Sequence, residues 1–310
     1  MSYIFKKLKK RIAEDIEWKE HRAHWGKENP ERTFYVMRRY TSYNGIGSHV
    51  LVLLGMLRYM ENKYPMAIPV VDFKNYKHCI AENDSTNAWE KFFEQPNDEG
   101  WTIEKIEKSK NVILANGYYR KSPYELPTIG TYEQMCQDGW EELFEKYIRL
   151  QPQLMKRFQQ EWEMLCPKEG RILGVKCRGT DYLHTMPKGH FVQPTFEQLK
   201  QQCDVLLSQG FAYVFFATED QQAVNYFQTA YKEKVFTLPK KFYDYKESIV
   251  THSDHTGLLS SKITEDYLRE LYFLSQCDGF LSGKNSGVFL SIMWNKGKYR
   301  KLELMDLGVY

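Results

Sequence analysis

The chain has 310 residues, enough for two domains of ordinary size or one large one. A net charge of only +3 makes no bulk-charge case for nucleic acid, and 42% hydrophobic residues supply sizeable cores. Six cysteines scatter without a C-x-x-C pair, and no apolar run or leader marks a membrane span or secretion. The expected setting is therefore a reducing cytoplasm.

Residues 2–12 place Ile4, Phe5, Leu8 and Ile12 near one helical face among five basic residues. Such a helix either docks on its own domain or lies on an anionic membrane surface, which suggests contact at the inner face of the membrane. Thr33 to Arg39 reads as a first strand, followed by Y-T-S-Y-N-G-I-G-S-H and a buried helix over Val50 to Met60. A strand, a glycine loop and a helix let backbone N–H groups approach a ligand at the helix start, with Asn44, Gly45 and Gly47 in the loop.

Ala67 to Val71 is a second strand, ending on Asp72, and Val112 to Ala115 a third. The polar stretch 77–110 reads as irregular, with one short helix near Trp89. Helices are expected over Glu133–Leu150 and Gln153–Leu165. Cys166-Pro167-Lys168-Glu169-Gly170 reads as a linker, which sets two domains at 1–166 and 167–310.

The second half alternates more regularly. Strands are expected at Ile172–Val175, Ala212–Ala217, Val235–Leu238 and Gly279–Leu281. Helices follow from Thr195, after Asp220, over Asp266–Ser275 and over Ser286–Trp294. Strand–helix alternation in both halves points to an α/β fold with parallel sheets.

Three polar clusters fall at strand ends: K-C-R-G-T-D at 176–181, A-T-E-D at 217–220 and S-G-K-N-S-G at 282–287. Any one of them reads simply as an ion pair, such as Arg178 with Asp181, or as a capped helix start. Together they line the carboxyl edge of one sheet, where open α/β sheets bind ligands. Arginine offers a permanently charged fork of donors for phosphate, and Ser286 opens a helix whose dipole favours anions. The G-x-x-x-x-G-K-[ST] order of an ATPase loop is missing.

Those clusters carry a resemblance. K-C-R-G-T-D-Y looks like the H-x-R-R-T-D or H-x-R-R-G-D-Y signature of the α1,2-, α1,6- and O-fucosyltransferase superfamily. A-T-E-D resembles the A-T-D-D of its α1,6 enzymes. L-S-Q-C-D-G-F-L-S-G-K-N-S-G-V is similar to the family's L-S-Q-A-D, strand and S-S-Q-V segment. In the first half N-G-I-G-S-H resembles the family's G-x-G loop, and V-V-D-F-K-N-Y its acidic strand end. The motifs span residues 36 to 290 in the family's order. Lys176 stands where the family has His, and Gly179 where it has a second Arg.

The resemblance implies a GT-B fold, two Rossmann-like domains facing across a cleft, with an acceptor-side domain first and a nucleotide-sugar domain second. It implies a GDP-fucose donor, a glycan acceptor and inverting transfer with neither metal nor cofactor. Arg178 would grip the β-phosphate, with Lys176, Thr180, Thr218, Asp220, Asp278, Ser282, Asn285 and Ser286 at the donor beside Asn44, Gly45 and Gly47. Asp181 would fix the Arg178 strand end. A base for the acceptor hydroxyl is open among Asp181, His190, Asp72 and Glu219. The reading is a fucosyltransferase acting on a cell-surface glycan or polysaccharide precursor, conceivably lipid-linked. Its rivals are a transferase using another nucleotide sugar and a nucleotide-sugar-binding protein without transfer.

Overall fold

A computed structural model describes residues 20–39, 45–74, 76, 86–117, 123–179, 186–244 and 257–310. Two units emerge: Met1–Pro127 with Trp140–Gln151 and Thr256–Ser261, and Thr128–Gly139 with Pro152–His255 and Lys262–Tyr310. The helix Pro152–Leu165 thus belongs to the second unit. The expectations for residues 2–12, Asn44, Thr180 and Asp181 lie outside the described residues.

In the first unit β1 (His21–Ala23), β2 (Thr33–Arg38), β3 (Ala67–Val71) and β4 (Val112–Asn116) form a sheet in the order β1-β4-β2-β3. β2 runs parallel to β3 and β4, with Val36 opposite Val70 and Leu114. Phe34 to Met37 are all fully buried, because helices cover both faces of a central parallel strand. The helix Ile46–Lys63 starts four residues before its apolar core suggests, and Phe34, Val36 and Val70 pack with Ile103 and Ile106. β1 departs from the all-parallel expectation: it pairs antiparallel with β4, and His-Arg-Ala has no apolar alternation to announce a strand.

The outer edge of β3 has no strand partner among the described residues, and side-chain amides stand in for one. Gln95 accepts from the Val71 N–H at 2.8 Å and donates to its carbonyl at 3.0 Å, while Asn97 donates to Pro69 O at 3.0 Å. A covered edge that also carries a proline is protected from pairing with another chain. Gln95 and Asn97 are therefore edge cover.

The expected helix Glu133–Leu150 is two helices, Tyr132–Gln137 and Trp140–Tyr147. Gly139, at φ 71°, takes the left-handed conformation that ends a helix.

The second unit carries β5 (Ile172–Lys176), β6 (Tyr213–Ala217), β7 (Val235–Phe236), β8 (Gly279–Gly283) and β9 (Lys301–Met305), all parallel, in the order β7-β6-β5-β8-β9. β9 is the strand that motif and periodicity miss, since its residues are only partly buried. Leu173, Val175 and Cys177 pack with Leu199, Cys203, Val224 and Phe227 from the helices Phe196–Ser208 and Gln221–Tyr231. Phe216 stacks on Phe227 with ring centres 4.0 Å apart. Thr195 caps its helix in a reciprocal box with Gln198. Trp162 holds the opposite face, with ring centres 5.8 Å from Phe215 and 5.2 Å from Phe273.

The chain leaves β5 for β6 and β7, then returns to the other side of β5 to lay down β8 and β9. That reversal makes the carboxyl ends of β5 and β8 a topological switch point, the place where open α/β sheets bind ligands.

Candidate functional site

Register brings the three strand-end clusters of the second unit to one edge. Lys176 pairs across to Ala217 on β6 and to Ser282 on β8. Strand alternation then decides which way each side chain goes. Val175 and Cys177 enter the core beneath two helices, while Lys176 turns to the face covered by the helix Gly257–Gln276. There it is 1% exposed, and its ammonium lies 4.8 Å from the centre of the Tyr267 ring. Among the described residues that ammonium makes no hydrogen bond or ion pair. Burial lowers the Lys176 pKa, against the opposing pull of Glu270 and Glu219.

Around it stand the groups that sequence reasoning missed. Glu270, 1% exposed, is held by Lys240 at 2.8 Å. Burial pushes its carboxyl up, and the two lysines pull it back. Tyr267 and Glu270 are three residues apart on one helix, so they share the face that meets Lys176. That i, i+3 spacing was the available signal.

Glu219 lies half-buried after β6. Burial raises its pKa, but Arg178 and Lys176 outweigh that and leave it below the ordinary glutamate value. Arg178 is half-buried in its partners' presence. Gly179 answers for its departure from the family signature: a β-carbon there would stand 2.5 Å from the Asp220 side chain. A second arginine has no room.

Several expected donor ligands are occupied by the fold. Asp220 caps the helix Gln221–Tyr231, accepting from Gln222 N at 2.8 Å and Ala223 N at 3.2 Å. Thr218 accepts from Asp220 N at 3.1 Å. Ser282 donates toward the carbonyls of Lys176 and Gly283, at 3.3 and 2.8 Å. Asn285 caps the helix Ser286–Asn295 by accepting from Gly287 N at 3.1 Å and Val288 N at 3.4 Å. These four shape the edge from beneath. Ser286 differs: it is half-buried, opens the helix, and makes no hydrogen bond among the described residues.

Asp278 is a correction. It precedes β8 and accepts from Ile172 N at 2.9 Å, at the start of β5. This is the amino edge of the sheet, the full length of a five-residue strand away from Arg178. A residue before a parallel strand cannot reach the edge where that strand ends.

His190 is exposed, and its carbonyl accepts from Tyr310 N at 3.0 Å. Gln193, three residues on, donates to Lys284 O at 2.8 Å, which ties this loop to the end of β8.

The first unit also ends its strands in charge, and there Arg38 has a carboxylate partner. Arg38 donates to Asp72 at 2.9 Å. Arg39, 2% exposed, donates to His49 Nδ1 at 2.9 Å and to Gly117 O at 3.1 Å. As an acceptor, Nδ1 carries no proton. Gly45 caps the helix Ile46–Lys63 with extended backbone at φ −64°. Among the described residues nothing stands within 4 Å of where its β-carbon would be. Asn116 Oδ1, in a residue 4% exposed, is buried there without a partner among the described residues.

Two concavities lie away from these edges. One of about 360 Å³ is lined by Lys200, Asn225, Tyr226, Thr229 and Ala230. The other, of about 550 Å³, is rimmed by Glu94, Asp98 and Arg149, which already pair at 2.9 and 3.0 Å.

No protein-family model and no curated protein sequence matches this chain. Solved structures do. One is NodZ α-1,6-fucosyltransferase co-crystallized with GDP, with 15% identity and a TM-score of 0.53 over 84% of this chain and 92% of that one. NodZ soaked with GDP-fucose matches with 15% identity and a TM-score of 0.52, over 85% and 93% of the two chains. An Arg-to-Lys mutant of Arabidopsis thaliana FUT1 in complex with GDP matches with 10% identity and a TM-score of 0.51, over 90% and 72%. The chain has the two-domain, Rossmann-like GT-B fold of these fucosyltransferase structures.

Proposed function

We propose that the protein is an inverting glycosyltransferase that moves fucose from GDP-fucose to a hydroxyl of a cell-surface glycan or polysaccharide precursor. The observation that carries this reading is the buried Lys176 ammonium, which meets no acceptor among the described residues. A buried cation is costly unless an anion joins it. Its position at the switch point, with Arg178 beside it and Ser286 opening a helix, suits a diphosphate. The NodZ and FUT1 structures of like fold were obtained with GDP or GDP-fucose, which favours a guanosine diphosphate donor.

In this reading the acceptor oxygen attacks the anomeric carbon of the donor sugar. The bond from that carbon to the β-phosphate oxygen breaks, and GDP leaves with the electron pair. Lys176, Arg178 and Ser286 stabilise the charge that builds on the departing phosphate, so the reaction needs no metal ion. The acceptor proton passes to a base. Glu219 is ionised beside Arg178 and so is one acceptor for that proton, although the same neighbours make it a weaker base; Asp181, His190 and Asp72 remain the alternatives. In the first unit, Asn116 Oδ1 is the kind of group that a sugar hydroxyl satisfies.

The acceptor is taken to be membrane-associated, with residues 2–12 contacting anionic lipid at the inner face. Among the described residues no helix is long and apolar enough to cross a membrane. Deleting 2–12 should weaken binding to phosphatidylglycerol vesicles while soluble-acceptor turnover persists; unchanged vesicle binding would remove that contact.

A donor screen tests the central claim. GDP should raise the melting temperature and UDP should not, and Arg178→Ala should abolish transfer from GDP-fucose in a protein that still folds. Stabilisation by UDP alone would overturn the donor assignment.

A further inference from the structure

Tyr267 carries an unspent hydroxyl. Among the described residues it makes no hydrogen bond, although the residue is half-buried on the helix Gly257–Gln276. Its ring faces Lys176, with the ammonium 4.8 Å from the ring centre. Its oxygen lies against the first turn of the helix Ser286–Asn295, so close to Gly287 that a β-carbon there would collide with it. One side chain therefore touches both the buried cation of β5 and the helix start after β8.

The chemistry of this placement is one-sided. Burial pushes the phenol up to about 12, with Glu219 and Glu270 adding to the rise and Arg178 opposing it, so at neutral pH the hydroxyl keeps its proton. A helix start offers donors, and the Ser286 N–H and hydroxyl there are unspent as well. Three donors and a buried ammonium converge where no acceptor of the described residues answers them. The missing partner is an acceptor with several oxygens and negative charge. Gly287 is the condition for this: only a residue without a β-carbon lets the phenol reach the turn.

We propose that Tyr267 donates its hydroxyl to the diphosphate at the start of the Ser286 helix, while its ring holds the Lys176 ammonium on the same anion. The proposal rests on the diphosphate-donor reading above. It makes Tyr267 a ligand-binding residue in its own right, and it links the lysine of β5 to the helix start after β8.

Titration calorimetry with GDP, inorganic pyrophosphate and guanosine tests it in the full chain. Tyr267→Phe keeps the ring under Lys176, so the melting temperature without ligand should hold. Affinity for GDP and for pyrophosphate should fall about ten-fold, the usual loss of a hydrogen bond to a charged group. Guanosine binding should not change. Tyr267→Leu removes the ring as well and should lose more.

Wild-type affinity for GDP in Tyr267→Phe, with binding lost in Arg178→Ala, would overturn the Tyr267 assignment and leave the donor reading standing. An equal loss toward guanosine would also overturn it, because the contact would then lie on the nucleoside. Failure of the wild type to bind either GDP or pyrophosphate would sink both. Should Tyr267→Phe unfold, Gly287→Ala provides the second arm by pushing the hydroxyl off the turn. It should weaken pyrophosphate binding by a similar factor, and unchanged binding in the folded variant would refute the proposal.

Discussion

The carboxyl edges of the two sheets are built from the same kinds of residue and reach opposite electrostatic outcomes. At the first, Arg38 meets Asp72, and Arg39 donates to His49 and a backbone carbonyl; the buried Asn116 Oδ1 is left without a partner among the described residues. At the second, Lys240 pairs with Glu270, and Lys176 is left with an aromatic ring. A cation that shares its edge with a matched pair is not short of carboxylates by accident of composition. The fold places a lysine where the nearest acid already has its partner. At the first edge the arginine–aspartate pair is closed, at the second a buried lysine faces a ring, and that difference is the ground for the proposed anion site.

The sharpest way to break the comparison is to unmatch the matched pair. Lys240→Met should cost about 3–5 kcal/mol, because it leaves Glu270 buried and unpaired. Chemical denaturation checks this, and a loss under 1 kcal/mol would mean that Lys176 moves over to serve Glu270. Next, Arg178→Ala should reduce GDP affinity about 100-fold, near 2.7 kcal/mol, whereas Arg38→Ala at the closed edge should leave GDP affinity within two-fold. Equal losses would erase the distinction between the edges.

Lys176→Met should separate stability from binding. Replacing a buried, uncompensated charge by an apolar chain of similar length should stabilise the empty protein by about 1 kcal/mol or more, while GDP affinity drops at least ten-fold. A variant that is less stable than wild type would show that the ammonium is compensated in the empty protein.

A smaller effect appears with pH. Glu219 has its folded pKa depressed, so its contribution to stability is full above the ordinary glutamate value and is lost as pH falls through the lower, folded one. Glu219→Gln should therefore flatten the acid side of the melting-temperature profile. An unchanged acid limb would mean that Arg178 and Lys176 do not hold that carboxylate. The smallest expected change is the stability cost of Arg38→Ala, about 1 kcal/mol or less for a partly exposed pair.

The amino-acid sequence by itself determined the class of the fold and the edge at which to look. The apolar runs of β2, β3, β5, β6 and β8, the Thr195 cap and the three polar clusters are local signals, carried by residues a few positions apart. Arg178 and Ser286 are legible for the same reason. Tertiary structure alone decided which of the clustered residues are free to act. Thr218, Asp220, Ser282 and Asn285 look like ligands in a motif, and become caps and turn bonds once their neighbours' N–H groups are in place. Asp278 sits in the right string at the wrong end of its strand. Glu270, Lys240 and Tyr267 come to Lys176 from 64 or more residues away in sequence, brought there by helix packing and sheet register, and no local pattern encodes that meeting. Burial is the physical reason: only when the helix Gly257–Gln276 covers its face of β5 does an ordinary lysine become a cation in need of an anion.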